Sequence, residues 1–295
     1  MSEFVFKEAQ RQKVKLKLAI TGVSGSGKTF SALKIAKGMI GPNGRIGVID
    51  TENRSASLYS DLPGMPKFVT LELSPPFTSE RYINAIRAAE SAGIDVLIID
   101  SIYHQWKGQG GILDRKEQEQ LAKPNANGFT LFSKFTPEHQ KFIQSMLQCQ
   151  MHVIATIRSK QEYGMAKDEK TGKMGVQKLG LAPEQRDGIE YEFTTVFDLN
   201  GDHIASASKD RTNLFDGKHF QIGEETGEML MKWVESGIEP VQDIHAEVKR
   251  AFRELAMAPE EQIKFIKSVC PEWNGTGRLT DDQLKLVQQR LVSVK

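Results

Sequence analysis

Apolar positions along the chain follow two alternating periods. Residues 16–21, 46–50, 95–100 and 151–157 are compact blocks rich in Ile, Val and Leu, each about the length of one strand. Unbroken apolar blocks of that length suit strands covered on both faces. Between them the spacing changes to three and four. Leu33, Ile35, Ala36 and Met39 stand at helical spacing, as do Ile83, Ile86 and Ala89, and then Phe142, Met146 and Cys149. The pattern predicts helices over 30–39, 79–92 and 137–150. Residues 68–73 alternate and predict one more strand. Residues 188–199 and 204–208 predict two others joined by the turn Asn200-Gly201-Asp202, before a short strand over 218–222 and a helix over 223–234. The expected fold class is α/β, a mostly parallel sheet with antiparallel C-terminal strands and helices on both faces.

Two stretches resist this scheme. Residues 102–135 are polar and punctuated by Gly108, Gly110, Gly111, Asn125, Asn127 and Gly128, so they are expected to be weakly structured apart from a helix over 112–121. Residues 158–178 carry six basic side chains against three acidic ones, with three glycines and Tyr163. Such a loop can bind single-stranded nucleic acid through Lys160, Tyr163, Lys167, Lys170, Lys173 and Lys178, and a solvated hairpin fits the same composition equally well.

Gly237 and Pro240 mark a boundary. Beyond it, apolar stripes and the capping box Thr280-Asp281-Asp282-Gln283 predict three short helices. The expected domains are a core over 1–238, whose residues 1–14 form a polar extension, and a helical module over 239–295. A net charge of +1 argues neither for nor against nucleic acid, so any basic patch is local. Cys149 and Cys270 are the only cysteines and read as free thiols of a reducing compartment. No apolar run has signal-peptide or membrane-spanning length, so a soluble, cytoplasmic protein with no membrane partner is expected.

The first apolar block runs into Gly22-Val23-Ser24-Gly25-Ser26-Gly27-Lys28-Thr29, which fits the phosphate-cradling P-loop, and a helical pattern begins at Phe30. Glycines let successive N–H groups converge on an anion, and the helix N-terminus favours negative charge. Gly22, Ser24, Gly25, Ser26, Gly27, Lys28, Thr29 and Phe30 are the candidate ATP-binding residues. Lys28 is expected to reach the β- and γ-phosphates and Thr29 to hold Mg²⁺. Residues 95–100 end in Asp100, a Walker-B pattern, and make Asp100 the second Mg²⁺ residue, with Ser101 beside it. The second apolar block ends in Asp50-Thr51-Glu52, at the ligand face of such a sheet. Glu52 is therefore a candidate for orienting the attacking water. His152 opens its strand as a surface or satisfied histidine, and no His/Cys cluster has zinc spacing.

The placing of a glutamate on the strand after the P-loop helix, with none beside Asp100, resembles the RecA-type ATPase core. Ser208-Lys209-Asp210-Arg211 is similar to that family's Lys-Asn-Arg element at subunit interfaces. Ile49-Asp50-Thr51-Glu52, Ile98-Ile99-Asp100-Ser101-Ile102, residues 153–160 and Gln185-Arg186-Asp187-Gly188-Ile189-Glu190-Tyr191-Glu192-Phe193 resemble a bacteriophage group of reduced RecA-like ATPases of single-strand annealing and recombination. The resemblance covers about residues 15–236. It implies a RecA-like P-loop ATPase core and a homo-oligomer, ring or filament, that binds single-stranded DNA in the host cytoplasm and works with a single-strand-binding protein. It also implies that Lys209 and Arg211 reach a neighbouring subunit's nucleotide. Where RecA has a γ-phosphate-sensing glutamine, this chain has Thr156, Ile157 and Arg158. A nucleotide-switched partner-binding ATPase without DNA activity and a small-molecule P-loop kinase are the alternatives.

Overall fold

The computed structural model describes residues 6, 8–167, 174–239, 244–255 and 257–292; at 129, 161–167, 174–181, 245, 246, 250, 254, 281 and 292 it describes backbone only. The chain divides into two compact units, residues 1–238 and 239–295.

In the first unit β1 (Lys17–Gly22) leads through the P-loop into α1 (Lys28–Met39) and β2 (Ile46–Asp50). Then come β3 (Val69–Glu72), α2 (Ser79–Ser91), β4 (Val96–Asp100), α3 (Tyr103–Lys107), α4 (Ile112–Ala122) and α5 (Gly128–Gln148). The long β5 (His152–Lys167) turns back as β6 (Met174–Pro183). β7 (Thr195–Leu199), β8 (Ile204–Asp210), β9 (His219–Gln221) and α6 (Glu224–Glu235) complete the unit. Among the described residues nine strands form one sheet in the order β3-β2-β4-β5-β1-β7-β8-β9, with β6 attached to β5 alone. β3, β2, β4, β5, β1 and β7 are parallel, and β8 and β9 are antiparallel.

Every residue of β1, β2 and β4 is buried, Lys17, Thr21, Asp50 and Asp100 included, as strands covered on both faces are. Alternate side chains serve opposite faces. Ala19, Ile49, Leu97, Ile99 and Val153 pack with Tyr82 and Ile86 of α2 and with Phe142 and Met146 of α5. Leu18, Ile20, Val48, Ile98 and Ile154 pack with Leu33 and Ile35 of α1 and with Leu230 and Val234 of α6. α1 and α6 meet through glycines. A Cβ on Gly38 would collide with the Glu224 carbonyl, and one on Gly227 with the Ile35 carbonyl.

Three expectations need correction. Residues 102–135 are largely helical, in α3, α4 and the start of α5, because Trp106, Ile112 and Phe135 close a small apolar cluster of their own. The helix expected at 137 begins at Gly128 and runs through Pro137. Leu131, Phe135, Phe142 and Met146 are all buried along it, so one apolar face spans the proline and outweighs its lost hydrogen bond. The strand expected over 188–199 starts only at Thr195; Ile189–Glu192 is a 3-10 turn that buries Ile189.

The second unit consists of α7 (Ile244–Glu254), α8 (Pro259–Val269) and α9 (Asp281–Val292) around Val248, Phe252, Cys270, Leu284, Val287 and Leu291. The capping box at its last helix is formed. Gln283 N–H donates to Thr280 Oγ1 at 3.3 Å, and Thr280 N–H to Gln283 Oε1 at 3.0 Å. Cys149 and Cys270 are both buried and free. Among the described residues no helix is long and apolar enough to cross a membrane.

Candidate functional site: a nucleotide cleft at the carboxyl ends of the strands

β1 ends at Gly22, in register with Leu199 of β7 and Arg158 of β5. A Cβ on Gly22 would meet Ser26 Oγ and, at 2.8 Å, the Leu199 carbonyl, so the chain can leave the sheet here only as glycine. Gly25 and Gly27 take φ of 79° and 88°, left-handed values that curl the loop toward α1. Lys28 lies folded over this loop, donating to the carbonyls of Gly22 at 3.0 Å and Val23 at 2.8 Å. Burial lowers its pKa, against the opposing charges of Asp100 and Glu52. Ser26 Oγ is buried within the loop and has no hydrogen-bond partner there. It lies against Gly22, beneath the loop, and Ser26 does not border the cleft.

Asp100 ends β4 and is 2% exposed. Thr29 Oγ1 donates to its Oδ2 at 2.6 Å and Thr156 Oγ1 to its Oδ1 at 2.5 Å. Burial raises its pKa, and these two hydroxyls offset only part of the rise. A hydroxyl and a carboxylate from two chain segments, both oxygen donors, form the donor set that Mg²⁺ takes beside nucleotide phosphates. Thr29 and Asp100 therefore fit the ion, and Thr156 aims the carboxylate.

Glu52 follows β2. Asp50 shapes the turn that carries it, accepting the N–H groups of Glu52 at 2.7 Å and Ala56 at 3.0 Å. The Glu52 carboxylate faces the cleft but is engaged. Arg158 Nε donates to Oε1 at 3.0 Å, an Arg158 terminal nitrogen pairs with Oε2, and Ser101 Oγ donates to Oε1 at 3.2 Å. Burial works to raise the Glu52 pKa; Arg158, His104 and Ser101 together outweigh it and hold the carboxyl below its ordinary value.

Lys28, Thr29, Glu52, Asp100 and Arg158 line one cavity of about 840 Å³, ample for a nucleoside triphosphate. Phe30 and Tyr59, edge to face at 6.0 Å, lie on its border, and His203 of the β7–β8 turn, Gln221 of β9 and Ile222 just beyond it also border the cavity. The cleft thus gathers Ser24, Gly25, Gly27, Lys28, Thr29, Phe30, Glu52 and Asp100, all expected from the sequence.

Lys209 and Arg211 are elsewhere. Asp210 pairs with Thr195, which pairs with Leu18 at the far end of β1 from the P-loop. Four residues of strand, about 13 Å, separate that level from Gly22. Lys209 Nζ donates to the carbonyls of Glu190 at 3.0 Å and Tyr191 at 2.6 Å, and Arg211 donates to Tyr191 at 3.3 Å. Neither borders the cleft of its own chain.

The basic stretch is strand where it is described. β5 leaves the core after Arg158 and pairs with β6 from Ser159 onward. Lys160 is exposed on it. Tyr163, Lys167 and Lys178 are described in backbone only, and Lys170 and Lys173 lie outside the described residues. His152 is buried, and its Nδ1 accepts the Leu16 N–H at 3.1 Å.

Residues absent from the expected site are Thr156, Arg158, His104 and His203. Arg158 and Glu52 are 106 positions apart, and no local pattern links them. Thr156 and Arg158 were legible only as residues standing where RecA has its γ-phosphate-sensing glutamine.

A parallel sheet, a P-loop at its carboxyl edge and an oxygen-donor pair beside it define a P-loop nucleotide-binding protein of the ATPase type. Residues 14–232 match the AAA domain family, and the chain belongs to it. No curated protein sequence matches the chain.

Proposed function

We propose that the protein is an ATP-dependent single-stranded-DNA-binding recombination protein that hydrolyses ATP as a homo-oligomer and promotes strand annealing or pairing. For hydrolysis, the reading is carried by the convergence on one cleft of Lys28, of the Thr29–Asp100 pair and of Glu52. The Thr29 hydroxyl and the Asp100 carboxylate would hold Mg²⁺, which neutralises charge on the β- and γ-phosphate oxygens. Lys28 would exchange the Gly22 and Val23 carbonyls for those oxygens, and the loop N–H groups would fix them. Glu52 would orient a water in line with the γ-phosphorus. The new P–O bond forms as the β–γ bridging bond breaks. Positioning and charge neutralisation account for most of the rate in such chemistry.

For DNA, support comes from β5. The strand that borders the cleft at Arg158 and Ser159 continues without interruption into a hairpin bearing Lys160, Lys167 and Lys178. A ligand of that hairpin would act on the same strand that borders the phosphate cleft. The test is ATP turnover with and without single-stranded DNA, beside a salt titration of DNA binding. Stimulated turnover with salt-dependent binding supports the reading. Unchanged turnover would leave a nucleotide-switched partner-binding ATPase.

A further inference from the structure

Arg158 sits where the sheet becomes the hairpin. It is the last β5 residue in register with β1, opposite Gly22, and Ser159 is the first in register with β6. Its carbonyl accepts the Glu184 N–H of the returning strand's end at 2.7 Å. Two more links tie this base to the segment after β4. Lys107 of α3 pairs with Glu184 at 2.8 Å, and Gln185 Nε2 donates to the Ile102 carbonyl at 3.0 Å.

The Arg158 side chain turns the other way, toward the cleft. Its planar fork meets both oxygens of Glu52. Its guanidinium lies 4.5 Å from the centroid of the Tyr103 ring, and one nitrogen is 3.4 Å from His104 Nε2. His104 Nδ1 is 2.8 Å from Thr51 Oγ1. A proton on Nδ1 donates to that hydroxyl and leaves Nε2 to accept from Arg158. Burial, against the attraction of Glu52, lowers the His104 pKa and favours this neutral form. The guanidinium is thus fixed by a carboxylate, a ring face and an imidazole. A carboxylate already accepting two guanidinium hydrogens and the Ser101 hydroxyl is a poor seat for a water and a weakened base.

We propose that Arg158 is a positioning residue that masks Glu52, and that displacement of the β5–β6 base withdraws the guanidinium and frees the carboxylate. This rests on Glu52 serving ATP hydrolysis. The pair suits reversible masking, because Arg158 and Glu52 side chains keep 38% and 24% of their exposure and such pairs separate readily. A part-exposed pair toward the strong end of its range leaves the carboxylate free about one time in five, so unmasking is expected to be worth about fivefold.

The experiment compares wild type, R158A, R158K, E52Q with R158A, and K28A as the inactive reference. In R158A, kcat should rise about fivefold without single-stranded DNA while KM for ATP stays within about twofold. R158K, with one point charge in place of a fork, should fall between. The R158A/E52Q protein should drop to the K28A level, showing that the gain passes through Glu52. An R158A kcat at or below wild type, or a gain that survives E52Q, overturns the proposal. Carbodiimide labelling of Glu52 without nucleotide, read by peptide mass, is independent of turnover. R158A should label about fivefold faster, and equal rates overturn the mask. Turnover at the K28A level in every protein overturns the hydrolysis reading instead, and the labelling rates alone then decide the mask.

Discussion

The two oxygens of the buried Asp100 side chain are shared between the Thr29 and Thr156 hydroxyls, one on each. The same division of labour makes Glu52 separable from the metal residues. It touches Arg158 and Ser101, and Thr29 is bound elsewhere. Glu52→Gln should therefore bind ATP with Mg²⁺ about as the wild type does and hydrolyse it at least 10²-fold more slowly, the usual weight of a general base. Equal losses of binding and turnover would make Glu52 structural. Two histidines set a different, pH-dependent term. Burial pulls His139 and His152 to about 4. In the unfolded chain each binds a proton near pH 6.5, so between pH 6.5 and 4 the unfolded state holds more protons than the native one. Their contribution is whole above pH 6.5 and fades as pH falls, by up to about 1.4 kcal/mol per pH unit for each. His152→Asn offers an acceptor to the Leu16 N–H without a titrating ring. Its urea midpoint should fall less steeply over that window than the wild type's, and an unchanged slope would remove His152 from the explanation.

The crossing of α1 and α6 is set by the absence of two Cβ atoms. Both obstacles are backbone, the Ile35 and Glu224 carbonyls, and cannot rotate aside. Gly227→Ala should thus cost about 1–3 kcal/mol, as overpacking does, and loosen the helix that begins at Lys28. Chemical denaturation with nucleotide titration checks this, and a stability within error of wild type would contradict it. Elements built from one strong period were legible in the sequence: β1, β2, β4, α1 and α2 follow their apolar spacing to within a residue or two. Where the pattern misled, the deciding contact was distant or small. Gly108, Gly110 and Gly111 are loop as read, close turns beside Pro76 and His104, but α3 before them was missed. Pro137 read as a helix start, but burial on both sides of it extends the helix. The P-loop, Asp100 and Glu52 were readable because their chemistry is local in sequence. The Arg158 fork was not, because Arg158 on β5 meets the turn after β2 only across the end of β4, a neighbourhood that the sheet order alone creates.

At the scale of the whole core, the phosphate cleft and the Lys209–Arg211 tract occupy opposite ends of the sheet. If the second serves the first, it does so from another copy. Arg211→Ala should then keep nucleotide binding and lose most DNA-stimulated turnover, since a cation supplied in trans is typically worth about 10³–10⁵ in rate. Full activity of Arg211→Ala alone would show both side chains to be bystanders.

That separation also carries a rule of counting. A contact joining unlike ends repeats head to tail, and each composite site draws its halves from two different molecules. When Lys28→Ala and Arg211→Ala proteins are blended, a working site needs an Arg211→Ala molecule on one side and a Lys28→Ala molecule on the other. The yield therefore follows the product of the two fractions. It vanishes for either protein alone and peaks in an equal blend, where about one junction in four is whole. A dome-shaped titration, symmetric about the midpoint, is the statistical signature of that geometry; a straight line between the two pure proteins is the signature of sites complete within one chain.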